Sequence, residues 1–175
     1  MVIIITGASH TGKTLLAQRL LERYSVPYLS IDHLKMGLIR SGNTDLTPED
    51  DDKLTGYLWP IVAEMIKTAV ENGQSLIVEG CYVPADWRSY FGAEYLDSIR
   101  AVCLAMTDGY IDSRFDEIVS HASDIERRKD DSCCTAERLK EDNRAFIRRF
   151  GEEAVLIGED HEKTLSELLE QIVIK

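Results

Sequence analysis

Apolar residues along this chain are grouped in short unbroken runs rather than in polar–apolar alternation. Val2-Ile3-Ile4-Ile5, Leu76-Ile77-Val78, Ala101-Val102-Cys103-Leu104-Ala105-Met106 and Ala154-Val155-Leu156-Ile157 are four of them. Runs of this length and character fit strands covered on both faces, as in a parallel sheet. Val26-Pro27-Tyr28-Leu29-Ser30-Ile31 predicts a further strand. Pro27 has no N–H for a ladder, so it belongs at a strand start or on an edge strand.

Between the strands the pattern turns helical. Leu15–Leu21 predicts one helix, and a second runs from His33 to about Arg40, stopped by Ser41-Gly42-Asn43. Thr47-Pro48-Glu49-Asp50 supplies an N-cap, a first-turn proline and acids suited to a helix start. The helix it opens runs towards Asn72-Gly73, with a break or kink expected at Pro60. Tyr110–Ala122 reads as helical, and Ser123–Cys134 is a polar stretch of mixed charge. Thr135–Phe150 is a helix capped by Thr135 and ended at Gly151, and His161–Val173 is the closing helix. Helices regularly interposed between buried strands predict an α/β fold: a three-layer, doubly wound, parallel five-stranded sheet with its site at the carboxyl ends of the strands. At 175 residues the chain is expected to form a single domain over 1–175. Within it, 33–74 is expected to be a helical acceptor-binding region and 123–150 a small helical lid.

One turn of the chain carries specific chemistry. Gly7-Ala8-Ser9-His10-Thr11-Gly12-Lys13-Thr14 fits G-x-x-x-x-G-K-[ST], lying between the first strand and the first helix. The glycines permit backbone angles that turn successive N–H groups around a polyphosphate, and the helix aims its positive end at the same anion. Gly7, Ser9, His10, Thr11, Gly12, Lys13 and Thr14 are therefore expected to bind a nucleoside triphosphate. Lys13 also serves as a catalytic point charge on the outer phosphates, and Thr14 as a Mg²⁺ ligand. His10 occupies a free position of the motif and is read as tolerated rather than catalytic.

Two acids sit at predicted strand ends. Asp32 either accepts a proton from an acceptor hydroxyl or holds a water on Mg²⁺, and it also suits the N-cap of the helix beginning at His33. Glu79 ends an apolar strand and precedes Gly80, which suits an acid orienting Mg²⁺. The acids Glu49–Asp52 are read as a solvated helix start.

Charge and cysteines narrow the setting. A net charge of −11 argues against bulk binding to nucleic acid or to an anionic membrane, and makes each arginine group a candidate phosphate site. Arg127, Arg128 and Arg138 are read as lid arginines that compensate the charge of a migrating phosphoryl group. Arg148 and Arg149 are read as helix-surface charges, and Lys35, Arg40 and Arg88 lie in segments expected near an acceptor. Cys81, Cys103, Cys133 and Cys134 have no metal-ligand spacing and suit reduced thiols in a cytoplasmic protein. Neither a membrane-spanning run nor an export signal is expected.

The chain resembles the adenylate-kinase-like group of P-loop small-molecule kinases, which includes nucleoside monophosphate, shikimate and gluconate kinases. The resemblance rests on the full phosphate loop, on Leu76-Ile77-Val78-Glu79-Gly80, and on Arg128-Lys129-Asp130-Asp131 with Arg138-Leu139 beyond. Ser30-Ile31-Asp32-His33-Leu34-Lys35 is similar to the acid-bearing second strand of metabolite kinases. The resemblance implies ATP and Mg²⁺ as cofactors, a small-molecule phosphoacceptor as partner, and Arg114 against the adenine. It departs from strict adenylate kinases at Gly80-Cys81-Tyr82-Val83-Pro84, where no arginine follows, and around Asp32, where a threonine–glycine–aspartate opening is missing. The alternative is a nucleotide-binding switch or regulatory ATPase. Its GTP form is weakened by the lack of an N-K-x-D sequence, and net charge disfavours a macromolecular acceptor.

Overall fold

In the computed structural model of the chain, residues 1–121, 125 and 134–174 are described. β1 (Val2–Gly7) is buried at every position and forms the middle of a parallel sheet. The strand order is β2 (Tyr28–Ser30), β3 (Leu76–Glu79), β1, β4 (Ile99–Met106), β5 (Ala154–Ile157). Side chains alternate across a strand, so β1 feeds two cores at once. Ile3 and Ile5 pack with Leu16 and Leu20 of α1 (Lys13–Tyr24) and Leu165 and Leu168 of α7 (His161–Gln171). Val2 and Ile4 face the other way, towards α3 (Asp51–Glu71) and α6 (Ala136–Phe150) through Leu58, Trp59, Val62, Phe146 and Phe150. Complete burial of a Val or Ile side chain contributes about 1.5–3 kcal/mol, which makes β1 the best-anchored element.

The remaining helices frame the carboxyl ends of the strands. α2 (Ile31–Arg40) leaves β2 directly, and α5 (Asp108–Ser120) leaves β4. α5 packs Tyr110, Ile111 and Ile118 against Leu139 of α6. The side chain of Asn143 in α6 is fully buried; its Oδ1 accepts from Met106 N at 2.7 Å and its Nδ2 donates to Leu139 O at 2.7 Å. That pair locks α6 to the end of β4.

Several boundaries differ from the sequence expectation. β2 is confined to three residues on the edge, and Pro27 precedes it with its carbonyl accepting from Ile77 N. α2 begins at Ile31 with Ser30 as N-cap, so Asp32 lies in the first helical turn instead of capping it. Asp50 holds the N-cap position of α3 without a side-chain capping bond; its Oδ2 instead accepts from both the N–H and the hydroxyl of Thr47 at 3.0 Å, which makes Thr47 a donor. α3 continues through the exposed Pro60 as one helix. The short α4 (Ala93–Leu96) and the 3-10 turn Trp87–Tyr90 were not anticipated; this segment brings Tyr90 and Phe91 against Trp59, with Trp87 against Phe91. Among the described residues no helix is long and apolar enough to cross a membrane.

Candidate functional site

The end of β1 admits only glycine at position 7. A Cβ there would lie 2.1 Å from the Leu104 carbonyl oxygen, and the residue has φ +142°. The chain then turns through His10 (φ +65°) and Gly12 (φ +84°), two left-handed residues that close the loop onto α1. Thr11 is fully buried, and its hydroxyl donates to Ala8 O at 2.9 Å. Lys13 Nζ donates to the same carbonyl at 2.6 Å. Thr11 thus braces the loop from within, whereas Ser9, His10, Lys13 and Thr14 line open space. Gly12 caps α1 without a side chain, which leaves first-turn N–H groups for an anion.

Glu79 joins this loop from β3. It is 2% exposed, and its Oε2 accepts from the Thr14 hydroxyl at 3.3 Å. A hydroxyl oxygen beside a buried carboxylate is a hard-oxygen pair of the kind Mg²⁺ uses when phosphates and waters complete its shell. Among the described residues, no three His, Cys, Asp or Glu side chains gather as a metal cage. The pair fits the ion that the loop implies.

Two clefts meet at the loop. The first, of about 630 Å³, lies between α5 and the turn before α7, with Gly12, Arg114, Glu117, His121 and His161 in its wall. Arg114 has non-helical angles inside α5 and pairs with Glu117 at 2.9 Å. The second, of about 860 Å³, lies between α2, α3 and α6. His10, Lys13 and Thr14 line both.

The second cleft has a continuous polar wall. Lys35 Nζ donates to Asp32 Oδ1 at 2.7 Å and to the Tyr82 hydroxyl at 2.8 Å, with the Tyr82 ring 4.9 Å away. The Tyr82 hydroxyl in turn donates to Asp51 Oδ1 at 2.9 Å. Burial pushes the Tyr82 phenol well above its ordinary range, so it stays protonated. Burial likewise pushes the neighbouring Cys81 thiol up to about 11, which keeps it inert near neutral pH.

α6 supplies the opposite wall with one helical face: Arg138, Asp142 and Arg149. Burial raises the Asp142 carboxyl above its usual range. The Arg149 guanidinium lies 5.0 Å from the Phe146 ring and donates to Val83 O at 3.1 Å; the residue is exposed, as the sequence suggested, and it also borders the cleft. Arg144 instead pairs with Asp108 of α5. Arg88 stacks on Trp87 at 4.3 Å and pairs with Glu153 at 2.8 Å. Neither Arg88 nor Arg40 lines either cleft. Arg127 and Arg128 lie outside the described residues, as does most of the expected lid before Cys134.

Several solved structures with this architecture are kinases by title. A gluconokinase from Sinorhizobium meliloti 1021 superposes with a TM-score of 0.52 at 14% identity, covering 97% of this chain and 94% of that one. A shikimate kinase from Bacteroides thetaiotaomicron gives 0.55 at 14%, covering 98% and 97%. A putative kinase from Chloroflexus aurantiacus j-10-fl gives 0.54 at 18%, covering 98% of each chain. The fold is that of the adenylate-kinase-like P-loop kinases. No family model and no curated protein matches the sequence.

Within this P-loop kinase fold, the structure brings Lys13, Thr14, Asp32, Glu79 and Arg138 to one cleft and Arg114 to the other. The cleft walls also hold Asp51, Tyr82, Asp142 and His161, which sequence reasoning did not single out. Asp51 sat inside an acidic run that looked solvated, and Tyr82 followed a strand in a segment with no helical or strand period. His161 opens a predicted helix, and nothing local relates it to a loop 150 residues earlier.

Proposed function

We propose that this chain is a kinase that uses ATP and Mg²⁺ to phosphorylate a small molecule, a metabolite or a nucleotide. The observation that carries the proposal is the position of the loop, with Lys13 and Thr14 in the walls of two clefts that open on either side of it. Transfer requires a donor and an acceptor to meet in line at a phosphate, and one loop shared by two cavities provides that geometry.

In this reading the first cleft takes the nucleoside, with Arg114 against the base. The loop amides and Lys13 hold the outer phosphates. Thr14 and Glu79 are the residues that would hold Mg²⁺, which when bound screens the charge on the phosphate oxygens. Asp32 is half exposed to the second cleft, and it accepts the proton as the acceptor oxygen forms its bond to the terminal phosphorus and the bridging bond to the nucleoside diphosphate breaks. Lys35 holds that carboxylate in place. Arg138 compensates charge on the moving phosphoryl group, with Arg127 and Arg128 assigned to the same task from sequence. Residues 33–74 and 123–150 are the acceptor-binding and lid regions of a single domain. Free thiols at Cys81 and Cys103 support a reducing, cytoplasmic setting.

A regulatory ATPase would have no use for the second cleft and its Asp32–Lys35–Tyr82–Asp51 wall. The deciding experiment is ATP turnover against a panel of nucleoside monophosphates, sugar acids and phosphoglycerates. Turnover should rise sharply with one acceptor class and be nearly silent without it. Equal hydrolysis with and without every acceptor would remove the kinase reading.

A further inference from the structure

His161, the first residue of α7, brings its Nε2 to 3.3 Å from the Thr11 carbonyl oxygen of the phosphate loop. A carbonyl oxygen only accepts, so the contact is a hydrogen bond when Nε2 carries the proton. The Thr11–Gly12 peptide is trans. In a planar trans peptide the C=O and the following N–H point in opposite directions. We infer that His161 is a positioning residue for nucleotide binding: it holds the Thr11 carbonyl outward and so aims the Gly12 N–H into the loop, at the phosphates.

Three observations support this assignment. The Thr11 side chain is tied to Ala8 O at 2.9 Å, so with His161 on its carbonyl the residue is fixed on two sides. A Cβ at Gly12 would lie 2.5 Å from His161 Nε2, so the imidazole sits directly against the amide it orients. α7 is itself held in place. Leu165 and Leu168 lie in the core, Asp160 caps the helix by accepting from Lys163 N at 2.9 Å, and Glu170 pairs with Arg23. Burial also lowers the His161 pKa, so near neutral pH the ring is uncharged and acts by direction.

The inference rests on the reading that the loop holds a nucleoside triphosphate and is independent of the acceptor. It is tested by the dissociation constant of MgATP on the full chain, measured calorimetrically. His161→Gln keeps an N–H donor, His161→Leu keeps bulk without one, and Glu170→Gln loosens α7 far from the loop. His161→Leu should weaken MgATP binding about three- to tenfold, the worth of one hydrogen bond. His161→Gln should restore most of it, and Glu170→Gln should bind as wild type does. Thermal unfolding without nucleotide shows whether each variant is folded; if His161→Leu is not, His161→Met takes its place. Unchanged affinity in the apolar variant, no rescue by glutamine, or an equal loss in Glu170→Gln would overturn the inference. Wild-type protein that binds no MgATP would overturn the triphosphate reading itself, and the inference with it.

Discussion

The Tyr82 hydroxyl donates to Asp51 Oδ1 at 2.9 Å, tying the turn after β3 to the first residue of α3. Through Lys35 the same hydroxyl reaches Asp32 of α2. Three separate segments that wall the second cleft are therefore held by one phenol that is 4% exposed. The arrangement alternates carboxylate, ammonium, hydroxyl and carboxylate, so each charge has a neighbour of opposite sign or a proton to share. Polar groups linked in this way around one buried hydroxyl fix geometry, and removing that hydroxyl leaves its partners short of a bond.

Tyr82→Phe keeps the ring and removes only that hydroxyl. It should destabilise the protein by about 1–2 kcal/mol, because Lys35 and Asp51 each lose a partner. Urea unfolding checks the stability, and MgATP binding measured alongside should be unchanged, since no Tyr82 atom lines the first cleft. An undiminished midpoint would show that water replaces the phenol without cost.

Lys13 and Asp32 should separate binding from chemistry. Lys13→Ala should weaken MgATP binding and reduce turnover by a factor on the order of 10² or more, as expected for loss of a preorganised charge on the phosphates. Asp32→Asn should leave MgATP affinity close to wild type and cut acceptor-dependent turnover by about 10²–10⁴, the usual worth of a general base. Transfer that survives Asp32→Asn would take the proton-accepting role away from this residue.

The sheet and the loop were legible in the sequence because both are local. Val2–Ile5 and Leu76–Val78 are short apolar runs whose burial follows from their composition, whereas the edge run Ala154–Ile157 leaves Leu156 exposed; the loop spacing is set by eight consecutive residues. The acceptor wall was only half legible. Asp32 and Lys35 fall on adjacent turns of one helix, but Asp51 and Tyr82 meet them through a crossover that no local pattern encodes. Thr47 illustrates a smaller failure: its N-cap signal is sound, yet its own N–H and hydroxyl both donate to the Asp50 carboxylate, and the helix starts at Asp51. Arg149 is exposed, as a basic residue in the last turn of a helix suggests, and what the sequence did not show is that Phe146 and Phe150 turn its guanidinium towards Val83.

Two glycines should respond oppositely to alanine. Gly7→Ala drives a Cβ into the Leu104 carbonyl, backbone that cannot swing aside, and should cost about 3 kcal/mol or more. Gly37 lies inside α2 with nothing within 4 Å of an added Cβ. Gly37→Ala should stabilise by about 0.5–1 kcal/mol through helix propensity alone. Denaturant midpoints of the two variants check both signs.

Stability should fall on mild acidification, with His161 responsible for part of the slope. Burial lowers its pKa from 6.5, against opposing effects from its bond to Thr11 and from Glu162, with Arg19 and His121 adding to the lowering. The unfolded chain therefore takes up this proton first. Above 6.5 the ring is neutral in both states and the contribution is complete; as pH falls from there towards the lower folded value, the unfolded state gains protons and stability drops. Among the described residues four carboxylates also have lowered pKa values: Glu162 held by Arg19, Glu170 by Arg23, Asp108 by Arg144 and Asp50 by Lys53. Their contributions begin to fade only as pH approaches their ordinary values of 4.5 and 3.8, which separates them from the histidine. Urea unfolding of wild type and His161→Gln between about pH 7 and about pH 5 isolates the effect, because glutamine does not titrate. The slope should be shallower in the variant; parallel slopes would assign the acid response to other groups.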